Sequence, residues 1–195
     1  MNNKERDYKT ARTVAEQNLA KIVNRISPSL SKREEGIFAE LSISNESSIK
    51  KLEKLYAFMD ELYAFVGNFT PCRKGCSSCC RITVSISSLE AEYVQTNLVI
   101  RQTPNLDKKV FFGTPCPFLN DDACSIYEYR PFVCRRHHAL FDNAKWCQLD
   151  LCQKYTFPLV KFTEIERSYW FIIGASHIYD IRQLFSSVGK HAPRS

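Results

Sequence analysis

No apolar run in this chain approaches the roughly 20 residues that span a bilayer, so no membrane segment is expected. Residues 1–12 are charged and lack the apolar core of a secretory signal, which reads as a cytoplasmic protein. There is no basic tail and no helix face of one sign. The net charge of +6 is spread along the chain, and nucleic acid is not indicated as a partner. Internal repeats and low-complexity segments are absent. No glycine-rich SAM-binding loop follows a strand, and no Ser-His-Asp or Cys-His arrangement can be assigned from spacing.

What the chain does have is cysteine. Four thiols fall within nine residues, at Cys72, Cys76, Cys79 and Cys80, and Cys116, Cys124 and Cys134 follow downstream. Short gaps let several sulfurs converge without a long loop to close, as a metal site requires. Gly75 sits inside the tightest part, where a positive φ would turn the sulfurs inward. Nine cysteines without a signal favour a reducing compartment, and the odd number argues against a fully paired disulfide framework. Residues 71–154 carry 11 basic against 8 acidic side chains. Four thiolates on zinc leave a charge of about −2, which Arg73, Lys74, Arg81, Arg130, Arg135 and Arg136 lie near enough in sequence to offset.

The 195 residues read as one mainly α domain in which helices 1–68 and 137–195 flank an irregular cysteine-rich region, 69–136, with a small β-hairpin. Leu19, Ile22, Val23 and Ile26 mark a first helix that Pro28 stops. Ser31 is the expected N-cap of a second, over 32–41. The strongest pattern runs from Ile49 to Val66 and is wide enough for burial on two sides. After the first cysteines, Ile82, Val84 and Ile86 alternate as a short strand, and Ser87 with Glu90 forms a capping box. Cys116–Leu119 and Cys124–Tyr127 read as hairpin strands, each beginning with a cysteine. Pro131 opens a turn that returns Cys134 toward them. Helices are expected over 143–153 and from Thr163 past Ile181.

The gaps Cys72-x3-Cys76-x2-Cys79 match the radical-SAM cluster motif, but the βα units such an enzyme needs do not follow. Zinc accepts the same sulfurs tetrahedrally, and spacing alone does not separate zinc from iron or a 4Fe–4S cluster. Cys76-Ser-Ser-Cys79-Cys80, Cys116-Pro-Phe-Leu119, Cys124-Ser-Ile-Tyr127 and Arg130-Pro131-x-x-Cys134-Arg135 together resemble the YkgJ-type cysteine-cluster proteins, the CxxCxxCC family. The resemblance implies a zinc- or iron-chelating domain over roughly 69–135. Cys72 stands three residues before Cys76, where the family name implies two.

Seven cysteines are therefore the candidate metal ligands: Cys72, Cys76, Cys79, Cys80, Cys116, Cys124 and Cys134. Cys147 and Cys152, five apart on an expected helix, read as small core residues. His137 is a secondary ligand candidate and His177 a packed histidine. Tyr127 is expected to pack beside the centre, with Arg130 bonding carbonyls or neutralising thiolates. Two functions fit. One is a centre of zinc, iron or an iron–sulfur cluster with redox or catalytic action on a protein partner. The alternative is a zinc-stapled interaction module without catalysis.

Overall fold

The computed structural model describes residues 3–73, 75–107, 110–156 and 158–186. Among them lie eight α-helices and two antiparallel sheets of two strands each, a mainly α fold. No described helix is long and apolar enough to cross a membrane. Packing groups the chain into two compact units, each built from two stretches: Met1–Arg73 with Arg135–Ile172, and Lys74–Cys134 with Ile173–Ser195.

The first unit is helical. Helix α1 (Asn3–Arg25) buries Ala11, Ala15 and Ile22, while Val23 is 65% exposed, so the inward face differs from the one the aliphatic spacing suggests. Small alanines let another element approach closely where larger side chains would not. Helix α2 (Pro28–Ile43) begins earlier than expected. Ser27, rather than Ser31, is its N-cap, accepting the Leu30 N–H at 3.3 Å, because Pro28 is pre-set for the first helical position. Helix α3 (Ser48–Gly67) buries Leu52, Leu55, Tyr56, Phe58, Met59, Leu62, Tyr63 and Val66, the broad face its pattern foretells. Each such side chain contributes about 1.5–3 kcal/mol when fully buried.

The expected helix over 143–153 breaks in two. A 3-10 turn (Ala144–Cys147) and helix α6 (Leu149–Cys152) are divided by Gln148, whose ψ of 147° is extended. Tyr8 of α1 closes over this segment, packing its ring on Trp146 and Tyr155 and donating its hydroxyl to the Thr156 carbonyl at 2.8 Å. Asn18 likewise donates to the Leu140 carbonyl at 2.8 Å.

The second unit carries the irregular segments. Strand β1 (Ser85–Ser87) pairs with β4 (Ile178–Asp180), in the register Ser85↔Asp180 and Ser87↔Ile178. The apolar spacing from Thr163 predicts one long last helix that takes in Ile181. Instead α7 (Thr163–Ile173) stops at Gly174, whose φ of 49° leaves helical space, and the chain turns into β4 and a short α8 (Ile181–Leu184). His177 accordingly lies outside any helix and is exposed, and its carbonyl accepts the Ser88 N–H at 2.9 Å.

Helix α4 (Ser88–Leu98) starts from the expected capping box: Ser87 accepts the Glu90 N–H, and Glu90 accepts the Ser87 N–H at 2.7 Å. The hairpin is smaller than read, with β2 (Leu119–Asn120) against β3 (Ala123–Cys124). Asp121 and Asp122, with φ of 44° and 57°, form its two-residue turn. Positive φ at both central positions suits the twist of tight hairpins, and short acidic side chains tolerate it. Cys116 therefore precedes β2 and Cys124 ends β3; neither begins a strand.

Candidate metal centre

Six of the seven candidate thiols belong to the second unit: Cys76, Cys79, Cys80, Cys116, Cys124 and Cys134. Gly75 adopts a φ of 94° just before Cys76, the left-handed turn that a side chain would strain. A 3-10 turn (Ser78–Arg81) then carries Cys79 and Cys80, tightened by the Cys80 N–H donating to the Ser77 carbonyl at 3.0 Å. Cys116 joins this turn directly: its N–H donates to the Cys80 carbonyl at 2.7 Å. The hairpin tip adds a second tie, Ser77 Oγ donating to Asp122 at 3.0 Å, with Arg81 at 3.8 Å from the same carboxylate.

Cys134 arrives on helix α5 (Phe132–Arg136). Its N–H donates to the Pro131 carbonyl at 3.0 Å, and the helix start is anchored by the Phe132 N–H donating to Glu90 at 2.8 Å. Cys124 ends β3 opposite Leu119. Irregular backbone thus brings sulfurs from three separate stretches into one unit.

The thiols sense one another. Burial pushes Cys116 up to about 12, and the charges of Cys80 and Cys124 add to the effect. Burial likewise raises Cys124, with a contribution from Cys80. Cys134 is held well above the ordinary thiol range by burial and then by Cys116, Cys124 and Cys80. Every pair among these four sulfurs is therefore within electrostatic reach. Ionising one opposes ionising the next, a penalty that a cation would remove.

Cys80 stands apart. A hydrogen bond from the Cys79 thiol brings it down to about 7, assisted by Arg182 and Arg81. Adjacent Cys79 and Cys80 thus differ, one a donor and the other an acceptor. Arg130 stacks at 3.8 Å over Tyr127 and favours the ionised forms of Cys124 and Cys134.

Cys72 belongs to the first unit, where its sulfur accepts the Ala139 N–H at 3.4 Å. Cys147 is buried in that unit, and the Cys152 thiol donates to the Leu149 carbonyl at 3.7 Å. His137 also lies there; burial, then the Arg136 charge, holds its imidazole below the usual range. Two of the cations assigned to thiolates have other partners. Arg135 pairs with Asp60 and lies over the Tyr56 ring, and Arg136 meets Glu166 at 2.6 Å. Lys74 lies outside the described residues. Arg81 and Arg130 do address the cysteine turns, and so does Arg182, which the spacing of the cysteines does not point to; the Asp180–Gln183 capping box is its nearest signal.

Among the described residues, no three His, Cys, Asp or Glu side chains stand close enough together to hold an ion as they are placed. In chemistry the donor set nevertheless suits zinc or iron: four mutually opposed thiols, one of them near neutrality, beside arginine countercharge.

Searches among curated proteins and among solved structures returned no match. A family model does match, and it covers the segment that carries all seven candidate cysteines: residues 71–156 fit the CxxCxxCC family, "Putative zinc- or iron-chelating domain".

Proposed function

We propose that this protein chelates zinc or iron through its clustered cysteines. Cys80, Cys116, Cys124 and Cys134 form the heart of the donor set, Cys76 and Cys79 stand beside them, and Cys72 is the seventh thiol of the motif series. The observation that carries this reading is that four thiols from three stretches lie in one unit, with the Cys116 N–H bonded to the Cys80 carbonyl at 2.7 Å, within the segment that matches the chelating-domain model; their mutual electrostatic opposition agrees with it. A divalent ion converts that opposition into binding energy by displacing protons from the sulfurs. The bound metal would supply a cross-link among segments whose own hydrogen bonds are few, since the strands here are two or three residues long.

Metal analysis of protein purified without oxygen tests the reading. About one zinc or iron per chain is expected. Visible charge-transfer absorption would favour an iron or iron–sulfur centre and the redox or catalytic reading; a colourless zinc protein would favour the stapled interaction module. Cys76→Ser and Cys134→Ser should each lose the metal, and Cys147→Ser should keep it. A chain that takes up neither metal, or full retention in Cys134→Ser, would overturn the shared centre.

A further inference from the structure

We propose that Asp180 and Arg182 are positioning residues of the cysteine centre, so that the chelating unit of this chain includes a C-terminal segment beyond the family-matched residues 71–156. The proposal rests on the chelation reading above.

The side chains of Arg182 and Asp180 are only 4% and 5% exposed. A guanidinium taken out of water needs partners for five N–H donors in a planar fork. Arg182 finds them on three sides. Nη1 donates to both Asp180 oxygens, at 2.9 and 3.0 Å. Nε donates to the Thr114 carbonyl at 3.0 Å and the Pro115 carbonyl at 3.3 Å. Nη2 donates to the Cys80 carbonyl at 3.0 Å and the Ile82 carbonyl at 2.9 Å.

Those four carbonyls belong to the two residues before Cys116 and to Cys80 and its near neighbour. The Cys80 oxygen also accepts the Cys116 N–H at 2.7 Å, so Arg182 grips the joint where the two cysteine runs meet. Asp180 is itself held: Oδ2 accepts the Val84 N–H and Oδ1 the Arg182 N–H, each at 2.9 Å. The rest of the segment is docked just as firmly. Ile181 N–H donates to the Val84 carbonyl at 2.9 Å, Thr103 N–H to the Leu184 carbonyl at 2.8 Å, and Phe185 packs on Phe118 at 5.1 Å. Neither residue offers a sulfur; both act through the backbone that aims sulfurs.

The test uses the full-length chain and the variants Arg182→Lys, Arg182→Met and Asp180→Asn. Zinc affinity is measured by competition with a chromogenic chelator, and ligand geometry by the visible spectrum of the cobalt(II)-loaded protein. Outer-shell substitutions at metal sites lower affinity by about 10–100-fold, and a loss in that range is expected for all three variants. Arg182→Lys keeps the charge but loses the fork, so its loss identifies positioning rather than charge. A changed cobalt spectrum in Arg182→Lys or Asp180→Asn further separates misdirected ligands from a general fall in stability, which would leave the spectrum of the bound ion unaltered.

Should Arg182→Met fail to fold its unit, the two milder variants carry the test. Wild-type affinity and spectrum in both would overturn the proposal while leaving chelation intact. A wild-type chain that binds neither zinc nor cobalt would overturn chelation and this proposal together.

Discussion

Glu90 holds Phe132 by its backbone: one carboxylate oxygen accepts the Phe132 N–H at 2.8 Å, while the other accepts the Ser87 N–H at 2.7 Å. A single buried side chain, 1% exposed, thus caps α4 and sets the start of the helix that bears Cys134. Replacing it by alanine leaves two buried N–H groups without that acceptor. Glu90→Ala should cost about 1–3 kcal/mol for each orphaned group. Amide exchange at Phe132 and Ser87 should accelerate together in this variant; an unaltered Phe132 rate would refute the link.

Asp60 and Arg135 make an asymmetric pair, the guanidinium almost fully buried and the carboxylate half exposed. Asp60→Ala removes the charge partner of a buried cation and should destabilise the unit, by less than the about 3–5 kcal/mol of a fully buried pair because Asp60 is half exposed. Arg135→Met instead replaces that cation with an apolar chain that can still cover Tyr56. Urea unfolding should therefore show Asp60→Ala as the less stable variant. The reverse order would mean that ring packing outweighs charge pairing here.

His137 predicts the acid response of the first unit. Burial and then the Arg136 charge lower its folded affinity for a proton below that of an ordinary histidine near 6.5. The unfolded chain therefore takes up the proton first as acidity increases. The contribution is present above pH 6.5 and drains away as pH falls toward the lower folded value. His137→Gln should flatten this part of the stability–pH curve. Parallel curves for the two proteins would show that His137 is not the group responsible.

Chelation should act regionally. Zinc held by thiolates contributes on the order of 10 kcal/mol to folding at neutral pH. Removing it should expose residues 75–134 to protease while α3, with eight buried side chains of its own, stays protected. Acidification should release the metal as well, because each ligand sulfur must shed a proton to bind. Equal cleavage of 75–134 with and without metal would show that the centre does not support this region.

Much of the scaffold was legible because local chemistry agreed with the final fold. Ser87 and Glu90 announce α4 whatever surrounds them, the Ile49–Val66 pattern is helical over several turns, and Gly75 does take the left-handed turn expected beside Cys76. The resemblance that the family model matches over residues 71–156 was readable from four short motifs, since ligand spacing is itself local. What escaped notice depends on partners far away in sequence. Ile178–Asp180 is apolar enough to continue a helix, and only pairing with Ser85–Ser87 makes it a strand. Arg182 resembles any surface arginine until four carbonyls from distant turns surround it. Ser27 is hard to recognise as a cap because Pro28 can stop one helix or start the next, and here it starts α2.

The order of synthesis gives β4 a further meaning. Every cysteine of the second unit leaves the ribosome before residues 178–184, which supply the partner of β1 and the Asp180–Arg182 clamp. Chains fold largely from the N-terminus as they emerge, so the first unit's helical stretch can begin to settle early. Until residues 178–184 have emerged, the turns that carry Cys80 and Cys116 lack the Asp180–Arg182 clamp, so on the chelation reading proposed above the site is completed only after that segment is made.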